Sequence, residues 1–254
     1  MSLFSPDHAG ARVVPSPNFG PRRDAGVNGP DMIILHYTGM PTAAGALDWL
    51  CREESEVSAH YMVEEDGSVI QLVPEAARAW HAGKSFWAGE TDINSRSIGI
   101  EIVNPGHPAL PDFPDRQIEA VIELCRDCVA RWAIAPERVL AHSDVAPVRK
   151  VDPGEKFPWD RLHAAGIGHW VEPAPIAGGR FFQRGDSGAP IEALQSMLSL
   201  YGYRTAITGE FSAELAGDIE AFQRHFRQQR VDGIADSSTI DTLHRLLQTL
   251  PRFV

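Results

Sequence analysis

The sequence predicts an α/β or α+β unit of about 165 residues followed by a small second unit built of three helices. Three observations carry this. Strand-like apolar runs are interleaved with helical periodicity up to about residue 165, and only helical spacing recurs beyond about residue 180. Between them, Gly-Ile-Gly-His-Trp-Val-Glu-Pro-Ala-Pro-Ile-Ala-Gly-Gly at 166–179 alternates helix breakers with small residues, as an extended linker does. The expected division is therefore 1–165, a linker at 166–179, and 180–254.

In chain order, the strand-like runs are Met32–Leu35, Ala59–Val63, Val69–Leu72, Ile98–Val103 and Val139–Ala141. Thr42 to about Glu54 reads as a short helix with Leu47 and Leu50 inward. The clearest helix runs from about Pro114 to Trp132, where Ile118, Val121, Ile122, Cys125, Val129 and Trp132 form one apolar stripe at three- and four-residue steps. Beyond the linker the same spacing recurs in Ile191, Leu194, Gln195 and Leu198, in Leu215, Ile219, Phe222 and Phe226, and in Ile240, Leu243 and Leu247. No internal repeat is found.

Composition narrows the function classes. With 254 residues, 43% hydrophobic and 22% charged, the chain is neither disordered nor fibrous. No apolar run approaches the roughly 18 residues of a membrane span, and Met1 to Pro15 lacks the basic and apolar regions of a secretory signal. A soluble, cytoplasmic protein is expected, with a periplasmic location as the alternative. A net charge of -11 has the wrong sign for tracking a phosphate backbone, so nucleic acid is not an expected partner. Three cysteines make no disulfide framework.

Polar residues that end or interrupt strands mark candidate chemistry. His36 follows Met32-Ile33-Ile34-Leu35, and His142 follows Val139-Leu140-Ala141. Alternation in Ser97–Val103 puts Ile98, Ile100 and Ile102 on one face and Glu101 on the other. The segment His142–Gly154 is loop-like, and if its end is extended, Lys150 and Asp152 project the same way. Two imidazoles and a carboxylate with a fourth position left for water make a catalytic zinc set that lowers the water's pKa toward ~7. His36, His142 and Asp152 could supply it, although ten histidines offer many other triples. Glu101 is then available as proton acceptor and Lys150 as oxyanion partner.

Five strings add a resemblance: Ile34-Leu35-His36-Tyr37-Thr38, Ser58-Ala59-His60-Tyr61, Ala79-Trp80-His81-Ala82-Gly83-Lys84-Ser85, Ser97–Asn104 and the His142–Gly154 loop. In order and over about residues 25–165, they resemble the zinc-dependent N-acetylmuramoyl-L-alanine amidases of the type 2, peptidoglycan-recognition-protein-like family. The resemblance implies a mixed central sheet flanked by helices, one zinc ion on His36, His142 and Asp152, and Glu101 and Lys150 as catalytic groups. It also places Trp80 and His81 in a stretch that lines the family's sugar-peptide groove. The tail, through Arg184–Gly188, Leu194-Gln195, Gly209-Glu210-Phe211 and Val231-Asp232-Gly233, resembles the three-helix peptidoglycan-binding domain attached to wall hydrolases. The implied partner is peptidoglycan or a muropeptide, and the tail is expected to be dispensable for the chemistry. A non-catalytic recognition protein and an amidase confined to soluble anhydromuramyl peptides are the alternatives; a wall-associated location would go with the polymer.

Other motifs read as structure. Gly185-Asp186-Ser187-Gly188-Ala189-Pro190 imitates a serine-protease nucleophile string but sits where helices follow at once, so a turn and helix start is expected. Cys125 and Cys128 fall on the apolar side of a helix. His60 reads as a packed histidine, and Trp87 is a weaker groove candidate than Trp80. His8, His107, His163, His169, His225 and His244 receive no role.

Overall fold

The computed structural model describes residues 4–23, 29–179 and 181–250. Residues 1–3, where the reading for an export signal begins, and Arg180, where the helical unit is expected to start, lie outside the described residues. Along the chain run β1 (Arg12–Val13), β2 (Phe19–Pro21), β3 (Met32–Tyr37), α1 (Ala43–Leu50), β4 (Tyr61–Val63), β5 (Val69–Gln71) and β6 (Ala77–Ala79). Then come α2 (Ile93–Arg96), β7 (Ser97–Ile102), α3 (Asp115–Trp132), β8 (Val139–Ala141), α4 (His142–Val145) and α5 (Trp159–Ala164). The tail holds β9 (Phe181–Phe182), α6 (Ala189–Tyr201), α7 (Ala213–Phe226), β10 (Ala235–Asp236) and α8 (Ser237–Gln248).

The central sheet is mixed, in the order β1-β5-β4-β7-β3-β8. Strands β4, β7, β3 and β8 run parallel, while β5 pairs antiparallel with β4. Strand alternation sorts side chains onto two faces that are covered differently. Ile33, Leu35, Ile98, Ile100, Ile102, Val139 and Ala141 pack on one face against Ile118, Val121 and Cys125 of α3. Gln117 of α3 fixes that helix by donating to the carbonyls of Val63 (3.1 Å) and Val103 (2.9 Å). On the opposite face Met62 and Ile70 pack against Ala46 and Leu50 of α1, whose start is capped by Thr42 accepting from the Gly45 amide.

The rest of that second face is closed by the tail. Met32, Ile34, Trp87, Leu140 and Val145 share one apolar cluster with Ile191, Leu194, Leu198, Leu215, Ile219, Phe222, Leu243 and Leu246 of the three tail helices. Segment 166–179 is irregular, as its composition predicts, yet it is tied down. Ala174 donates its amide to Thr242 (3.0 Å) and accepts from Ser238 (2.5 Å), and His169 bonds the Tyr201 hydroxyl (2.9 Å). The extended linker that the composition predicts thus does not hold the tail apart: an apolar sheet face must be covered, and the tail helices cover it. A two-residue ladder of β9 with β10 adds to the helices, and Asp236 caps α8 through the Thr239 amide (2.8 Å).

The protease-like string is a turn into α6, with Gly188 donating to Gly209 (2.8 Å). Cys125 and Cys128 are buried in α3. Among the described residues no helix is long and apolar enough to cross a membrane.

Candidate active site

Parallel pairing of β7, β3 and β8 brings their C-terminal ends to one edge of the sheet, where side chains can converge on a common space. His36 occupies that end of β3 and is aligned with Glu101 of β7. His142 begins α4 immediately after β8. Asp152 returns from the loop, its carbonyl accepting from the Ser143 amide (3.0 Å), so the His142 turn and the Asp152 backbone hold each other. A groove of about 320 Å³ lies over this edge and is lined by His36, His142, Asp152, Glu101, Lys150, Trp80 and His81. All seven residues singled out from the sequence meet there. Trp49, Val57 and Met40 form its apolar wall.

At the base, His36 Nδ1 lies 2.9 Å from His142 Nδ1 and 3.1 Å from Asp152 Oδ2, and His142 Nδ1 lies 3.0 Å from the same oxygen. All three residues are buried. His142 Nε2 faces the Ala82 carbonyl at 3.1 Å. A carbonyl only accepts, so the imidazole proton sits on Nε2 and Nδ1 presents its lone pair to the cluster. Burial, then the neighbouring His142, pushes His36 down to about 4, so it is neutral near pH 7. Burial opposes ionisation of Asp152, while His142 and His36, when they carry a proton toward it, draw its carboxyl well below the usual range. An anion and two imidazoles crowded this closely form an electron-rich pocket that a cation relieves.

Glu101 stands beside this cluster. Its Oε2 is enclosed and has no hydrogen-bond partner among the described residues. Burial, followed by repulsion from Asp152, raises its carboxyl well above the usual range, while Lys150 opposes the shift. Lys150 is half-buried, and its ammonium forms no ion pair among the described residues. The donor set fits a metal: three ligand atoms lie within 4.8 Å of one another, and an unpartnered carboxylate oxygen waits next to them. Two nitrogens and one oxygen leaving an open position are the donor chemistry of catalytic zinc.

Sequence reasoning missed the groups that hold this cluster from behind. His142 shares the Ala82 carbonyl with Arg149 Nη2 (2.6 Å). Asp144, in the same short helix as His142, accepts from the Ala141 amide (2.8 Å), the Tyr203 hydroxyl (2.7 Å) and His225 Nδ1 (2.7 Å). His225, read as having no role, thus ties α7 to the His142 turn. A carboxylate two positions after a candidate ligand was the available sequence signal; its partners, 59 and 81 residues away, left none.

A mixed α/β sheet carrying such a cluster at the base of an open groove defines a hydrolytic enzyme with a metal-capable centre. Residues 26–155 match the N-acetylmuramoyl-L-alanine amidase family, and 187–243 match a peptidoglycan binding domain. The chain belongs to the N-acetylmuramoyl-L-alanine amidase family. It is similar to the N-acetylmuramoyl-L-alanine amidase AmiD of Escherichia coli, 36% identical over 235 residues that take in 85% of this chain and 82% of that protein. It is also similar to the 1,6-anhydro-N-acetylmuramyl-L-alanine amidase AmpD of Enterobacter cloacae, 32% identical over 171 residues, 61% of this chain and 89% of that one. Among solved structures, E. coli AmiD in complex with the substrate anhydro-N-acetylmuramic acid-L-Ala-D-γ-Glu-L-Lys superposes with a TM-score of 0.74 at 34% identity, covering 91% of this chain and 97% of that one. That cover takes in the tail as well as the sheet.

Proposed function

We propose that the chain is a zinc-dependent amidase that hydrolyses the bond between the lactyl carbonyl of muramic acid and the amine of L-alanine in muropeptides. The observation that carries this is the meeting of His36 Nδ1, His142 Nδ1 and Asp152 Oδ2 beside the unpartnered Glu101 Oε2. His36, His142 and Asp152 would hold the zinc, which when bound supplies Lewis acidity toward water and the scissile carbonyl. Glu101, kept basic by burial, takes a proton from the attacking water. As the water oxygen bonds to the carbonyl carbon, Lys150 faces the oxygen on which negative charge develops. The C–N bond then breaks, and Glu101 returns its proton to the leaving amine of L-alanine. Trp80 and Trp49 offer faces on the groove against which a sugar ring can pack.

The E. coli relative is solved with the substrate anhydro-N-acetylmuramic acid-L-Ala-D-γ-Glu-L-Lys, and this supports an anhydromuramyl peptide substrate here. A second reading, action on the insoluble polymer, is favoured by the match of residues 187–243 to a peptidoglycan binding domain. The test is parallel digestion of anhydromuramyl tripeptide and of intact sacculi, with products identified by mass, before and after chelation. Release of the free peptide from either substrate supports the amidase. Binding to sacculi with no cleavage of either substrate would leave a recognition protein and sink the proposal.

A further inference from the structure

His36 has a second ring nitrogen, and its environment points beyond the ligand set. Nε2 lies 3.0 Å from Nδ1 of His81, and His81 Nε2 lies 3.1 Å from the Ser97 hydroxyl. Ser97 is fully buried, and its oxygen lies 2.6 Å from the Ile93 carbonyl. A carbonyl cannot donate, so at this distance the Ser97 proton must lie between the two oxygens; otherwise two lone pairs would face each other. Ser97 Oγ is then only an acceptor toward His81, which requires a proton on His81 Nε2 and leaves His81 Nδ1 as a lone pair. That lone pair in turn requires the proton of His36 on Nε2. The lone pair of His36 is thereby fixed on Nδ1, the atom that faces His142 and Asp152.

We propose that His81 is a positioning residue that selects the metal-binding tautomer of His36 through this Ile93-Ser97-His81 chain. The chain has a steric counterpart at Gly99, where a β-carbon would come within 2.4 Å of the His81 ring. Strand β7 therefore lacks a side chain at the point where the His81 ring packs against it. Both ring nitrogens of His81 are used by protein partners, so although it lines the groove it has no free nitrogen to offer a substrate. The pattern matches a general feature of metal sites, in which a ligating imidazole is fixed through its other nitrogen and loss of that partner costs roughly 10–100-fold in metal affinity.

The inference rests on His36 being a metal ligand, and the experiment separates the two ideas. Zinc affinity is measured on the full chain by competition with a chromophoric chelator, and the His36 tautomer is read from the nitrogen shifts in a long-range ¹H–¹⁵N spectrum of the zinc-free protein. The parent should show His36 protonated at Nε2. His81→Phe, which keeps a ring but has no acceptor, should weaken zinc binding by roughly 10–100-fold and blur that tautomer signature. His81→Asn, whose side-chain oxygen can replace Nδ1 as acceptor, should recover much of both. Parental zinc affinity and an unchanged His36 signature in His81→Phe would overturn the proposal. Should His81→Phe not fold, Ser97→Ala removes only the group that fixes His81, and an unaltered signature there overturns it equally. If the parent takes up no zinc, the metal reading fails, while the tautomer measurement still judges His81.

Discussion

Truncation after Pro175 removes α6, α7 and α8, and the shared apolar cluster makes this more than the loss of a binding module. Met32, Ile34, Trp87, Leu140 and Val145, each at most 2% exposed, would lose their cover. Full burial of such a side chain is worth about 1.5–3 kcal/mol, so exposing half of the surface of these five costs roughly 4–8 kcal/mol. Against a typical total stability of about 5–15 kcal/mol, this is from roughly a quarter of the total to all of it. Asp144 also loses Tyr203 and His225, two of its three partners. The match to the E. cloacae protein takes in only 61% of this chain, so the amidase fold as such does not demand a tail. What demands it here is the apolar face that β3 and β8 present. The truncated chain is expected to aggregate or to lose its cooperative thermal transition, and with it hydrolysis of soluble muropeptides. In the milder variant Tyr203→Phe, packing is kept and one hydrogen bond to a carboxylate is lost. That bond is worth about 1.5–3 kcal/mol, or roughly 3–12 °C in melting temperature at this chain length. A truncated protein that melts cooperatively near the full-length temperature and cleaves soluble substrate normally would refute the reasoning.

Chelation is expected to abolish hydrolysis and added zinc to restore it, and alanine at His36, His142 or Asp152 should lower the zinc content measured by atomic absorption. Glu101→Gln and Lys150→Ala should retain zinc but lose roughly 10²-fold or more in turnover, since each removes a group acting on the reacting atoms; a parental rate in either makes that residue structural. Acid stability should follow His60, which burial, then the Arg22 charge, pushes down to about 3 from 6.5. The folded state keeps His60 neutral where the unfolded chain protonates it, so its contribution is complete above pH 6.5 and is lost as the pH falls toward 3. The denaturant midpoint should fall through that window, and less steeply in His60→Gln; parallel slopes would remove His60 from the explanation.

Local physics made much of the fold legible. The α3 stripe of Ile118, Val121 and Cys125 is spaced by the helix itself, and the helix runs Asp115–Trp132 against an expectation of about Pro114 to Trp132. The strand runs and the three tail helices were similarly readable, because a strand or helix repeats its own period wherever it packs. His36 and His142 stood out because an imidazole ending an apolar strand interrupts that period, and Glu101 because alternation turned it away from Ile98, Ile100 and Ile102.

Other features depend on partners remote in sequence. The unbroken run Met32-Ile33-Ile34-Leu35 signals a strand covered on both faces. It does not say that α3 lies on one face and the tail on the other. Likewise Asp144, Tyr203 and His225 carry no common motif, and neither do Ile93, Ser97, His81 and His36. What the sequence by itself determined was the set of elements and the residue types able to hold a metal and move a proton. Only the tertiary structure decided which nitrogen of each imidazole faces the cluster and which helices seal the sheet. The reason is physical: hydrogen bonds and apolar contacts act over a few ångströms in space, whereas the groups they join here lie far apart in the chain, 81 residues for Asp144 and His225 and 116 for His36 and Asp152.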